Sequence, residues 1–127
     1  MENEIRIVST KVLSEDQKLP LLSANFSVID NDFISIKYHN FNFEELNDYL
    51  IFTSQNAVES VLLHNNIDQI KTKKAFCVGE KTKKLLEQNG IEVVLFSDYA
   101  AELASVICNQ YDKNSFTFFS GNIRRNI

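Results

Sequence analysis

The sequence is poor in the residues that break or staple a chain: its 127 residues include three glycines, one proline and two cysteines. With 44% hydrophobic and 24% charged residues beside so little Gly and Pro, fibrous and disordered classes are excluded. What is left is an ordinary globular chain of one domain or parts of two. No apolar run approaches the roughly 18 to 20 residues that span a bilayer, and the start, Met1-Glu2-Asn3-Glu4, lacks the basic region of a secretory signal. A cytoplasmic protein with no membrane partner is therefore expected. Cys77 falls in an apolar run that reads as a buried strand and Cys108 at the end of an amphipathic helix, with no CxxC and no His at ligand spacing. Both read as reduced thiols, and no metal site is expected. Basic residues are in the minority, 13 against 17 acidic, for a net charge of −4. That excludes a phosphate-neutralising surface, so no nucleic-acid partner is expected, and Lys71, Lys73 and Lys74 read as a solvated loop rim.

Several site signatures are missing as well. There is no GxGxxG, and Gly79-Glu80-Lys81-Thr82 matches only the end of a phosphate-binding loop, because no glycine stands at the required upstream position. His39 and His64 are far apart in the pattern, and no nucleophile–His–acid set or carboxylate pair stands out. No catalytic side chain is assigned, which leaves a mechanism dominated by binding.

What is present is rhythm. Ile5-Arg6-Ile7-Val8-Ser9 reads as a strand. Leu19, Leu21, Leu22 and Phe26 have helical spacing, with Pro20 pointing to a helix that begins near it. Phe33-Ile34-Ser35-Ile36-Lys37-Tyr38 alternates as a strand, and the aperiodic His39 to Glu45 reads as a linker. From there strand and helix follow in turn: Tyr49–Phe52, Ala57–Leu63, Ala75–Val78, Thr82–Gln88, Glu92–Phe96, Ala100–Cys108 and Phe116–Phe119. This predicts α/β architecture, a parallel sheet flanked by helices with right-handed crossovers. Gly90 sits where a helix-ending glycine belongs, and Ser97 or Asp98 could cap the helix starting at Ala100.

In an open parallel sheet, ligands bind beyond the carboxyl ends of the strands, where helix N-termini present unpaired amides. Each predicted end here carries small polar residues or glycine: Thr53-Ser54-Gln55-Asn56, Gly79-Glu80-Lys81-Thr82, Ser97-Asp98 and Ser120-Gly121-Asn122. Helix capping and tight turns account for the same residues, so both readings stand at this point. Thr53 to Asn56 also suits the phosphate loop of a flavodoxin-like module binding a small anion or flavin, the alternative reading.

Five stretches in order resemble the uroporphyrinogen-III synthase family. They are Ile51-Phe52-Thr53-Ser54-Gln55-Asn56-Ala57-Val58, Phe76-Cys77-Val78-Gly79-Glu80-Lys81-Thr82, Gly90-Ile91-Glu92-Val93, Ala101-Glu102-Leu103-Ala104 and Phe118-Phe119-Ser120-Gly121-Asn122-Ile123-Arg124-Arg125. Ser9-Thr10-Lys11 resembles the family's strand-end Thr-Arg, with Lys11 where Arg is usual. The resemblance implies two α/β domains of flavodoxin-like topology joined by a two-stranded linker, with the active site in the cleft between them. Residues 1–40 would open the first domain as a β-α-β piece, and 41–127 would form most of the second, with the remainder of the fold absent.

It further implies a cofactor-free enzyme acting on hydroxymethylbilane, a flexible chain of four pyrroles with eight carboxylates. The terminal hydroxyl leaves as water, and closure through a spiro intermediate inverts the last ring to give uroporphyrinogen III. Because the substrate closes unaided to the wrong isomer, the protein must dictate conformation, an orientation effect worth roughly 7 to 11 kcal/mol in favourable cases. Carried over by the resemblance as substrate contacts are Thr10, Thr53, Ser54, Asn56, Gly79, Lys81, Thr82, Gly121, Asn122 and Arg124. The whole enzyme is expected to be a monomer; a fragment of this length is expected to lack activity and could self-associate.

Overall fold

Strand and helix alternate from Arg6 to Phe119: β1 (Arg6–Ser9), α1 (Glu15–Ser23), β2 (Ser27–Asp30), β3 (Tyr49–Phe52), α2 (Gln55–Leu62), α3 (Ile67–Ile70), β4 (Lys74–Val78), α4 (Glu80–Gln88), β5 (Val93–Ser97), α5 (Ala100–Gln110) and β6 (Phe116–Phe119). The computed structural model describes residues 5–121 and falls into two units, Met1–Lys37 and Tyr38–Ile127.

In the first unit β1 and β2 pair in parallel, Arg6 opposite Ser27 through Ser9 opposite Asp30. The helix between them starts well before Pro20. Ser14 forms a capping box, its Oγ accepting from the Gln17 amide at 3.2 Å while Gln17 Oε1 accepts from the Ser14 amide at 3.0 Å. This reciprocal pair fixes the first turn and outweighs the one intrahelical bond that Pro20 cannot donate. Asn25, at φ 63°, ends the helix. The second strand is Ser27–Asp30, and Phe33–Tyr38, expected to be a strand, is irregular. Alternation supplies a pattern, but a strand exists only with a neighbour to complete its ladder. That place beside β1 is taken by Ser27–Asp30.

The second unit is a four-stranded parallel sheet in the order β5-β4-β3-β6. The α/β class with helix-flanked parallel strands is as expected. Counted from β3, however, the order is 3-2-1-4, whereas a flavodoxin's runs 2-1-3-4-5. Moving from β3 to β4 to β5 and then back across to β6 reverses direction, so right-handed crossovers place α2 and α4 on one face and α5 on the other. Accordingly α2 packs on α4, and α5 packs on β4 and β5.

Both faces are filled, which is why the strands read as apolar runs. Leu50, Phe52, Ala75 and Cys77 join Val58, Val61, Ile70, Leu86 and Ile91 beneath the first pair of helices. On the other face Phe76 is edge-on to Tyr111 at 4.8 Å and packs beside Tyr49 and Phe116. Gly90 ends α4 as expected: at φ 81° its amide donates to Glu87 O and that of Ile91 to Leu86 O, and the buried Leu86 and Ile91 close the motif. Neither Ser97 nor Asp98 caps α5. Its N-cap position is Tyr99, without a side-chain bond, because β5 runs on through Ser97, whose carbonyl accepts from the Gly79 amide at 2.9 Å.

The stretch 39–45 carries no strand or helix, and five of its seven residues are exposed, but Phe41 and Phe43 are half-buried. Phe41 and Phe43 stack on His64 at 4.5 and 5.0 Å, and Phe41 also meets Phe119 at 5.8 Å. His64 is held by two bonds: its Nδ1 accepts from the Asn66 amide, so Nε2 carries the proton and donates to the Phe41 carbonyl at 2.8 Å.

Candidate functional site

Because the sheet is wholly parallel, the carboxyl ends of β3, β4, β5 and β6 lie along one edge. The register sets their heights: Phe52 is level with Cys77 and Phe119, and Val78 with Ser97. Thr53, Gly79, Asp98 and Ser120, each the first residue past its strand, therefore form a row. The chain changes direction between β3 and β6, which is where an open α/β sheet leaves a crevice between diverging loops. The loops bordering that switch point are Thr53 and Ser54 after β3 and Ser120 and Gly121 after β6, all four exposed.

Three helices begin on this edge. At α2, Ser54 is the N-cap and its Oγ accepts from the Ala57 amide at 3.2 Å. The hydroxyl is thus committed to capping, while the amides of Gln55 and Asn56 have no acceptor within the helix. At α4 the N-cap is Gly79, φ 92° and ψ 140°, with no side-chain bond. This backbone suits glycine, and the absent side chain leaves the amides of Glu80, Lys81 and Thr82 uncapped. At α5 the first amides are likewise uncapped by any side chain. Aligned peptide dipoles add roughly half a positive charge at each such end, a charge supplied without cationic side chains.

Not every expected contact is in this row. Thr82 is buried beneath the start of α4, its Oγ1 3.7 Å from where a Cβ on Gly79 would stand, so it packs the turn. Lys81 is exposed on the first turn of α4 and Asn56 on that of α2. Thr10 follows β1 in the first unit, where its carbonyl accepts from the Phe33 amide at 2.9 Å. Asn122 and Arg124 lie outside the described residues. Absent from the sequence reading was the contribution of Gln55, whose uncapped amide follows from the assignment of Ser54 as N-cap.

Ionisable chemistry is sparse at the edge. Cys77, one residue from the end of β4, is fully buried, and burial pushes its thiol up to about 11, which keeps it protonated and inert. Cys108 is exposed on α5. Glu80 pairs with Lys84 at 3.5 Å, and Lys83 lies over the Phe96 ring at 4.7 Å while reaching Glu87. Among the described residues no group of His, Cys, Asp or Glu could hold a metal ion. A cavity of about 650 Å³ lies elsewhere, at the far end of α2, lined by Tyr38 to Asn42, Ser60 and Leu63 to Asn66. Its floor is the Phe41–His64 stack, and it shares no residue with the strand tips.

The sequence model of the family described as uroporphyrinogen-III synthase HemD matches residues 20–127, taking in β2 and the whole second unit. The chain belongs to the uroporphyrinogen-III synthase family. No curated protein matches the chain. Membership supports a uroporphyrinogen-III synthase-type, lyase role in tetrapyrrole biosynthesis. Among the described residues of this family member, no helix is long and apolar enough to cross a membrane.

Proposed function

We propose that the edge formed by the tips of β3, β4, β5 and β6 binds the carboxylates of hydroxymethylbilane, and that the enzyme cyclises it to uroporphyrinogen III with loss of water and inversion of the last ring. The observation that carries this reading is the row itself: α2, α4 and α5 open on one edge with amides that no intrahelical acceptor satisfies, beside a crevice at the chain reversal. A substrate with eight carboxylates needs many anion contacts spread over a broad surface. Oriented amides provide them on a chain of net charge −4 without a basic patch.

The role of each group follows from its chemistry. The Gln55, Asn56, Glu80 and Lys81 amides hold carboxylates, Thr53 and Gly121 flank the crevice, and Gly79 allows close approach. Lys81 and Arg124 are the cationic candidates. Such a site acts by fixing conformation: it favours the closure that inverts the last ring over the spontaneous one, with no acid or base required from a single side chain. The test is a cyclisation assay with freshly made hydroxymethylbilane and the whole gene product, separating the oxidised porphyrin isomers. Type III above the uncatalysed background is expected; type I alone, at the spontaneous rate, sinks the reading.

A further inference from the structure

Tyr99 stands at the start of α5 in a place that neither capping nor packing explains. It holds the N-cap position without a side-chain bond to the helix, although Ser97 and Asp98 just ahead of it carry the side chains that helix starts favour. Its ring is 68% exposed, whereas no other described Phe or Tyr of the second unit exceeds 38%. Among the described residues the ring meets no other ring and the hydroxyl makes no hydrogen bond. A tyrosine there gives up a cap and buries little apolar surface in return.

The sheet fixes where this ring stands. β4 and β5 stay paired up to their tips: Val78 is level with Ser97, and the Gly79 amide donates to the Ser97 carbonyl at 2.9 Å. Beyond that bond one chain turns into α4 through Glu80 and Lys81, and the other into α5 through Asp98 and Tyr99. Tyr99 therefore opens α5 next to the uncapped amides of α4, where neighbouring strands run roughly 4.7–4.9 Å apart.

We propose that Tyr99 contacts the substrate, its ring stacking on one pyrrole of hydroxymethylbilane while a carboxylate of that same pyrrole sits on the Glu80 and Lys81 amides. The inference rests on the strand-tip edge being the carboxylate site, and it adds recognition of the rings. Four pyrroles share eight carboxylates, so every ring carries short anionic arms, and an anion held at the start of α4 keeps its own ring close to Tyr99. Amides read charge alone. An aromatic face beside them also sets the plane of the pyrrole, because paired rings prefer offset or edge-on contact. A site that acts by fixing conformation needs that second restraint, since a pyrrole held only by flexible arms remains free to turn.

Tyr99→Ser and Tyr99→Phe in the whole gene product test this, with Gly79→Asp as the control for the amides. Serine removes the ring and supplies a cap, so Tyr99→Ser should unfold at a higher denaturant midpoint than the parent. It should still raise KM for hydroxymethylbilane roughly 2- to 10-fold, the worth of one aromatic pair, while Tyr99→Phe keeps the parent KM. A residue of purely structural role moves stability and KM together. Because the ring contact carries no charge, the Tyr99→Ser defect should be the same at low and high salt, while that of Gly79→Asp shrinks with salt. A Tyr99→Phe defect as large as that of Tyr99→Ser assigns the contact to the hydroxyl and overturns stacking. If Tyr99→Ser matches the parent KM while the parent forms type III and Gly79→Asp is impaired, the edge binds carboxylates without Tyr99 and this inference fails alone. If the parent forms type I only, the reading of the edge fails and takes this inference with it.

Discussion

Phe52 and Phe119 stack across the β3–β6 rung with ring centroids 5.1 Å apart and planes 16° from parallel, directly beneath the tips that flank the crevice. The pair lies at the carboxyl ends of β3 and β6, next to the loops of the proposed site. Phe52 is fully buried in the core, and Phe119 is half-buried against it. Phe52→Ala should therefore cost about 3–5 kcal/mol of stability, as large core truncations do, and Phe119→Ala distinctly less. Urea denaturation midpoints of the two variants check the ranking. Equal losses would show that the two rings are not covered unevenly.

Gly79 allows a second test, because its φ of 92° and its lack of a side chain are separable features. A Cβ there would meet Thr82 Oγ1 at 3.7 Å, ordinary contact, so Gly79→Ala costs backbone strain and not a clash. The expected loss is about 1–3 kcal/mol, visible in a melting curve. Gly79→Asp adds the same strain and a carboxylate at the N-terminus of α4. It should lower kcat/KM much more than Gly79→Ala at comparable stability, through a raised KM. Similar kinetics in the two variants would remove this amide group from the proposed site.

How far this was legible in the sequence depends on what each segment buries. Tyr49–Phe52 and Phe116–Phe119 match the observed β3 and β6 residue for residue, because short runs dominated by aromatic and aliphatic residues suit strands packed in a parallel sheet. Gly90 was readable since only a left-handed residue completes that helix end. Phe33–Tyr38 misled, because periodicity says nothing about whether a ladder partner is present. Pro20 misled because the Ser14–Gln17 box fixes the start of α1 ahead of it. Phe41 and Phe43 gave no period and so read as linker, though tertiary stacking on His64 orders them. For the site, the edge was legible from parallel topology alone. That Ser54 is used as a cap and Thr82 is buried became visible only with helix boundaries in hand.

Acid should weaken the fold at two places. Asp48 Oδ2 accepts from the Ser115 amide while Ser115 Oγ accepts from the Asp48 amide, each at 3.1 Å, tying the starts of β3 and β6 together. That backbone bond, foremost, holds the Asp48 carboxyl below its ordinary value. Asp30 is lowered too, first by the Leu13 amide and then by Lys18, 3.1 Å away. A folded pKa below the unfolded one means the contribution is complete above the unfolded value, about 3.9, and is lost as pH falls through the folded value. Stability measured by denaturant from pH 6 downward should therefore drop below about pH 4. Asp48→Asn should flatten that drop and leave the difference from the parent smallest at the acid end; a variant whose pH profile parallels the parent's contradicts the pairing.

Ser54 can distinguish capping from binding at the crevice. Its hydroxyl accepts from the Ala57 amide, so Ser54→Ala should cost about 1 kcal/mol by loss of the cap, measurable as a shift in denaturation midpoint. Ser54→Asp restores an acceptor of comparable capping strength, and its charge also suits the helix dipole. Stability should return to within a few tenths of a kcal/mol of the parent. The same carboxylate, however, stands beside the free Gln55 and Asn56 amides and competes with a substrate carboxylate for them. Ser54→Asp is therefore expected to fold as well as the parent and bind substrate several-fold more weakly, with KM raised and the effect reduced by salt. If instead Ser54→Ala and Ser54→Asp lose activity only in proportion to lost stability, the start of α2 is a structural cap and takes no carboxylate.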